Sequence, residues 1–353
     1  GIKKYQWTTI PLAMHGVVVK KDGEVVDVVI GESEEDPVFC ITDLLPHLAA
    51  KQNERKLSDG IRGEELNIVV GSVPYQDDEV KEPVKLLALK LLNDKYGITE
   101  ADFYRAEIEM VPAVKATDVG LDRSLVGAYG QDDRVCAYTA MMAEIDTDMP
   151  EYTTVTFFAD KEEIGSDGNT GLNSDFLLHY LEDLAEQAGV NIRTLLRNSM
   201  CLSSDVNAAF DPTFPQVHEP LNASYINKGC VLTKYTGARG KSGSNDASAE
   251  TMAEVIRIME KEGVYWQAGE LGAVDEGGGG TIAKLVAHMD IDTRTVFPTV
   301  LSSAHHRCEY HPSYATALSY TVRSAPLQLP PRQSLRFPFC IPGLAHHDHT
   351  ADS

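Results

Sequence analysis

Two adjacent glutamates, Glu162 and Glu163, follow the strand-like run Thr153-Thr154-Val155-Thr156-Phe157-Phe158-Ala159 and precede a Gly/Ser/Asn-rich turn that opens at Gly165-Ser166. Open α/β sheets build active sites where a strand ends in a tight loop. A carboxylate pair at such a point can divide the labour of a hydrolase. One group holds a metal ion, and its neighbour handles the proton of the metal-activated water. Two further acidic signals stand at similar strand-to-loop positions: Asp132-Asp133 after Ala128-Tyr129-Gly130-Gln131, and Asp205 after Met200-Cys201-Leu202-Ser203-Ser204. One Glu-Glu pair would be an ordinary solvated surface. Three acidic strand ends in one chain point to a metal-dependent hydrolase.

The elements that must position these groups fall into two patterns. Residues 1–115 read as a β-rich unit, with β-branched runs over 13–20, 24–31, 37–42, 66–72 and 107–115. One helix interrupts them over 78–96, carrying Val84, Leu87, Leu91 and Leu92 at helical spacing, with Gly97 as its cap. Residues 116–293 alternate between strands (153–160, 199–205, 230–235) and amphipathic helices (134–145, 171–188, 246–262). That alternation predicts an α/β fold, a sheet covered by helices, behind a separate β-rich domain.

At 353 residues the chain has ample material for a buried core, and no apolar run approaches the roughly 20 residues needed to span a bilayer. A net charge of −22 disfavours nucleic acid and anionic membrane surfaces and suits a cytoplasmic protein. Six scattered cysteines without C-x-x-C spacing predict reduced thiols in a reducing compartment. The first residues carry no basic-plus-apolar signal.

Residues 294–353 stand apart. Residues 1–293 carry 26 basic and 50 acidic side chains, whereas this tail has five and three, with no lysine, six of the 11 histidines and seven of the 17 prolines. Its Ala325-Pro326-Leu327-Gln328-Leu329-Pro330-Pro331-Arg332 has neither helical nor strand periodicity. A disordered extension, a foreign module and translation in a shifted frame all fit; the shifted frame is the preferred expectation.

Four ordered motifs carry a family resemblance: Gly120-Leu121-Asp122-Arg123-Ser124, Gly127-Ala128-Tyr129-Gly130-Gln131-Asp132-Asp133-Arg134, Asp160-Lys161-Glu162-Glu163-Ile164-Gly165-Ser166 and Ser203-Ser204-Asp205-Val206-Asn207. They resemble the successive metal-site motifs of the aspartyl aminopeptidase family, and the likeness runs from residue 1 to about 293, including Lys3-Lys4-Tyr5-Gln6-Trp7 and Asp43-Leu44-Leu45-Pro46-His47-Leu48. The resemblance implies an α/β metallopeptidase domain with an inserted dimerisation domain. It implies two zinc ions per site, peptide substrates, and self-association as dimers that build dodecamers. Carried over, it makes Asp132 the bridging carboxylate, Glu162 the general base and acid, and Glu163 and Asp205 terminal ligands. His47 matches a histidine that reaches into a partner's site, although a histidine capping a helix reads equally well. Asp133 is expected to hold Arg134 or the loop backbone. The Gly277-Gly278-Gly279-Gly280 run resembles a loop whose N–H groups approach bound substrate.

The family's first zinc-binding histidine would precede Gly1. Its last corresponds to His305, in Pro298-Thr299-Val300-Leu301-Ser302-Ser303-Ala304-His305, with His306 beside it and the spacing altered. Weak activity is therefore expected. The alternatives are a Mg²⁺- or Mn²⁺-dependent phosphoryl-transfer enzyme, since all-carboxylate sites suit hard cations, and an assembly subunit without chemistry. Preference for acidic N-terminal residues stays open.

Overall fold

The computed structural model describes residues 3–77, 79–237, 239, 242–243, 245–297, 299–300, 307–308 and 321–322. Strands β1 (Leu12–Val19) and β2 (Val25–Ile30) pair antiparallel across the Lys21-Asp22-Gly23 turn, with Met14 opposite Ile30 and Val19 opposite Val25. Strands β3 (Cys40–Ile41) and β4 (Ile68–Val69) pair separately. Strand β5 (Ala106–Pro112) lies on the other side of β1 and completes the order β2-β1-β5. The two runs expected over 37–42 and 66–72 shrink to these two-residue strands. Gly16 is required in β1, because a Cβ there would lie 1.9 Å from the Glu107 carbonyl oxygen.

Two short helices, α1 (Lys4–Trp7) and α2 (Ala50–Asn53), precede α3 (Pro83–Tyr96). The latter starts at Pro83, later than the expected 78, because proline is preorganised for the first helical turn. Gly97 ends it in the left-handed conformation, as expected. Leu92 and Tyr96 pack on a core of Met14, Val18, Val28, Ile30 and Ile98, and the Tyr96 hydroxyl donates to the Val29 carbonyl at 2.7 Å.

Beyond residue 115, β6 (Thr117–Val119) and β7 (Leu125–Gly127) lead into α4 (Gln131–Asp146). Then follow β8 (Thr153–Thr154), α5 (Phe176–Ala188), α6 (Ile192–Arg197), β9 (Ser199–Ser204), β10 (Asn207–Ala208), β11 (Cys230–Thr233), α7 (Ala249–Lys261), β12 (Trp266–Ala268) and α8 (Ala283–Ala287). Strands β13 (Asp292–Phe297), β14 (Thr299–Val300), β15 (Arg307–Cys308) and β16 (Thr321–Val322) complete the described elements. One sheet has the order β12-β11-β13-β9-β16-β8, the other β10-β14-β15-β7-β6.

Strand alternation explains the layering. In β9, Cys201 joins Leu177, Leu181 and Ala185 of α5, with Leu195, Leu196, Val286 and Ile291, on one face. Its neighbour Leu202 joins Leu232 of β11 with Val255 and Met259 of α7 on the other. The sheet is thus sandwiched between helices, which gives the expected α/β fold. The clusters built on β1 contain only residues up to 110, and these two only residues from 157 on. No helix among the described residues is long and apolar enough to cross a membrane.

Two segments differ from expectation. Of the run 153–160 only Thr153–Thr154 forms a strand, at the sheet edge, and Asp160 makes an isolated bridge to Gly171; the Glu144 carboxylate accepts from the Thr154 and Thr156 hydroxyls at 2.6 and 2.9 Å. Strand β13 crosses the 293/294 boundary and lies parallel to β9, with Thr293, Arg294 and Thr295 all buried as in a strand covered on both faces. Cys40 is exposed, while Cys136 and Cys201 are buried; all of these, and Cys230, are free thiols.

Leu181 is 5% exposed at the centre of the α5 core. Leu181→Ala is expected to cost about 2–5 kcal/mol, read as a lower urea midpoint at unchanged m-value.

Candidate metal centre

The turn Gly130-Gln131-Asp132-Asp133 connects β7 to α4. Gly130 adopts φ 74°, and Asp132 and Asp133 have non-helical backbone before the helix proper begins; the peptide between them is cis. Asp205 follows directly on β9, and the Val206 N–H donates to its Oδ1 at 2.6 Å. Oxygen atoms of Asp132, Asp133 and Asp205 all lie within 4.8 Å of one another.

The glutamate pair sits on a tightly laced loop. Lys161 (φ 62°) and Gly165 (φ 105°) are left-handed on either side of a 3-10 turn over Glu162–Ile164. The Ser166 N–H returns to the Lys161 carbonyl at 2.8 Å, and the Asn173 amide donates to the Gly165 carbonyl at 3.0 Å. Gly171 lets the loop close, since a Cβ there would meet the Ser166 carbonyl oxygen at 2.2 Å.

Asp132, Glu162, Glu163 and Asp205 line one cavity of about 230 Å³. Its other walls include Asn207, Thr236, Glu219, Glu270 and the Gly277–Gly280 run, so the glycine loop does face the carboxylates. Burial pushes the Asp205 carboxyl up to about 8; Asp133, Asp132 and Glu162 add like charge, against the Val206 N–H. Burial likewise lifts Asp133 to about 7, with Asp132 and Glu162 contributing and a hydrogen bond from Cys136 opposing. The Cys136 thiol is raised by burial and then by Asp133. Glu162 is raised by burial, then by Glu163 and Asp132, while Lys284 pulls the other way.

Of the residues singled out from sequence, Asp132, Glu162, Glu163 and Asp205 are brought together at this cavity. Asp133 differs from the expectation that it would hold Arg134: its carboxylate joins the acidic cluster and takes the Cys136 thiol, while Arg134 stacks over the Tyr129 ring. Although the residue as a whole is exposed, its acid group is crowded among buried neighbours. The acidic doublet was the signal; its adjacency to Asp132 hid which way it would turn. His47 lies on an exposed 3-10 turn, Pro46–Leu48, and does not line this cavity. His305 and His306 fall outside the described residues. Asn207 and Thr236 were not singled out from sequence, since an isolated amide or hydroxyl carries no spacing signal.

The donor set fits a divalent cation. Metal–oxygen bonds of about 2.0–2.2 Å place ligand oxygens on one ion some 3–4 Å apart, compatible with the spacing here, and a divalent cation would favour the ionised form of carboxyls that burial and like charge push up. Among the described residues that line the cavity the donors are oxygens, and none is a histidine.

Asp133 and Asp205 titrate higher folded than in an unfolded chain, near 3.9. Their contribution therefore favours the folded state below about pH 4 and is lost as pH rises through about 7 to 8. In EDTA-treated protein, Asp205→Asn is expected to match the parent Tm near about pH 4 and exceed it increasingly toward about pH 8. A Tm difference independent of pH would contradict the crowding described here.

The profile of the family described as aminopeptidase I zinc metalloprotease (M18) matches residues 1–319. A probable M18 family aminopeptidase 1 of Clostridium acetobutylicum is 54% identical over 291 residues, covering 81% of this chain and 63% of the relative. The Thermotoga maritima counterpart is 48% identical over 306 residues, covering 85% and 67%. The crystal structure of the M18 aminopeptidase from T. maritima superposes with a TM-score of 0.81 at 45% identity, over 87% of this chain and 69% of that one. The chain thus spans about two-thirds of the length of these relatives. The match leaves a phosphoryl-transfer reading without support. With a matching α/β fold and a carboxylate cluster at the expected strand ends, the chain belongs to the M18 family of zinc metalloproteases.

Proposed function

We propose that this chain carries the metal-binding half of a zinc-dependent aminopeptidase that releases single N-terminal residues from peptides. The observation that carries the reading is the convergence of Asp132, Glu162, Glu163 and Asp205 on one cavity in a chain of this family. Asp132, Glu163 and Asp205, with Asp133 beside them, would hold the metal ions. Bound zinc supplies an acidified water and a polarised carbonyl. Glu162, with its pKa raised toward working pH by burial and by Glu163 and Asp132, accepts the proton and returns it to the leaving amine. The Gly277–Gly280 run lines the same space, and its N–H groups would receive the peptide main chain.

The division between a β-rich unit (1–115) and a metallopeptidase unit is supported by the separate cores on either side of residue 115; a tail set apart from 294 onward has no such support, since β13 runs across 293/294 within the sheet. The stretch around His47 exposes Leu44, Leu45, Leu48 and Leu57, each at 50% or more, which supports burial against a second copy. His47 would then reach a neighbouring copy's cavity. An S. cerevisiae protein of the same fold, 20% identical with a TM-score of 0.64, forms a dodecamer, which is consistent with self-association here. The free cysteines support a cytoplasmic location.

The test is zinc titration with turnover on aminoacyl-anilides and dipeptides. Glu162→Gln is expected to lower kcat by about 10²–10⁴-fold at unchanged zinc stoichiometry, whereas Asp205→Asn weakens zinc binding itself. Release of no N-terminal residue by the zinc-loaded chain would sink the enzymatic reading.

A further inference from the structure

Asn207 is 1% exposed, and both its side-chain Oδ1 and Nδ2 are buried without a hydrogen-bond partner among the described residues. Its main chain is engaged, since β10 pairs with β14 at Asn207 and Thr299. Thr236 is 8% exposed, and its Oγ1 is likewise buried and unpaired. Both residues line the cavity that holds Asp132, Glu162, Glu163 and Asp205. Buried polar groups in folded proteins are overwhelmingly paired. A donor and an acceptor left open on one side chain, at the wall of a cavity, mark a place kept for a ligand.

The chemistry of that ligand follows from the charge around it. Six carboxylates on the same cavity repel an anionic group, and they serve a cationic amino terminus or metal ions better than a neutral amide can. What a carboxamide matches is a neutral group that also has one N–H and one C=O, namely a peptide group. Asn207 stands two residues after Asp205, so its Cα lies within about 7 Å of that ligand's Cα. The peptide group it meets is therefore the one at the carboxylate cluster.

We propose that Asn207, assisted by Thr236, anchors the scissile peptide group of the substrate, with Nδ2 donating to its carbonyl oxygen and Oδ1 accepting from its N–H. The assignment rests on the aminopeptidase reading above and adds a substrate-anchoring residue to it.

An anchor of this kind weakens the ligand-free fold, because its polar atoms are buried unpaired until substrate arrives. Asn207→Leu, close to it in shape, is accordingly expected to raise the Tm of the ligand-free 353-residue chain by about 2 °C or more. The same variant should raise KM for the best-cleaved member of a dipeptide panel about tenfold, with zinc stoichiometry unchanged and a smaller change in kcat. A residue satisfied within the fold would give the opposite sign in the first measurement. A lower Tm, or a KM within about twofold of the parent, overturns the proposal. If the parent cleaves no dipeptide, the aminopeptidase reading fails separately. Thermal shift by millimolar dipeptide then decides: stabilisation of the parent but not of Asn207→Leu supports the anchor, and equal or absent stabilisation refutes it.

Discussion

Like charges brought together by main-chain geometry are the constraint around which the metallopeptidase half is organised. Asp132 and Asp133 are delivered by a turn that delays the start of α4, Asp205 by the end of β9, and the glutamates by a loop held on two left-handed residues. None of these three deliveries relies on attraction between the side chains. The stability that offsets their repulsion comes from elsewhere, chiefly the apolar layers on both faces of β9. Burial of Asp133 and Asp205 becomes favourable once a divalent ion shares their charge.

The same economy explains why the loop carrying Glu162 and Glu163 is so heavily hydrogen-bonded. Lys161 and Ser166 both occupy positive φ, which costs a side-chain-bearing residue energy that only a well-braced loop can hold. Asn173, reaching to the Gly165 carbonyl and to Asp167, supplies part of that bracing from outside the loop. Rigidity here fixes where the Glu162 and Glu163 carboxylates sit; a looser loop would hold the same residues and lose the alignment.

Much of this was legible in the sequence, for identifiable reasons. Strand-to-loop acidic motifs are local signals, so Asp132, Glu162, Glu163 and Asp205 could be picked out before any contact was known, and their shared cavity followed. The helices ending at Gly97 and Gly189 were equally local, because a left-handed cap needs a glycine. What sequence did not reveal depends on contacts between distant segments. The turn of Asp133 toward Cys136 and the open amide of Asn207 each depend on a neighbour that periodicity does not name. Strand β13 was obscured by composition: Arg294 reads as a polar surface residue, yet it is buried in the sheet near Asp292. The histidines at 305 and 306 lie outside the described residues.

The β14–β15 pair occupies the second and third places of the sheet β10-β14-β15-β7-β6, between the strand that follows Asp205 and the strand that leads to Asp132. Neighbouring strands keep a spacing of about 4.8 Å whatever their side chains. The sheet is thus a ruler, and these two places fix how far apart the two arms carrying the carboxylates begin. Pairing asks of Thr299, Val300, Arg307 and Cys308 only main-chain N–H and C=O groups, which every residue but proline offers. Drift in residue identity along this stretch leaves the ruler intact, whereas gain or loss of a strand place would reset the jaw. Unfamiliar composition and conserved dimension can therefore coexist in the same few residues.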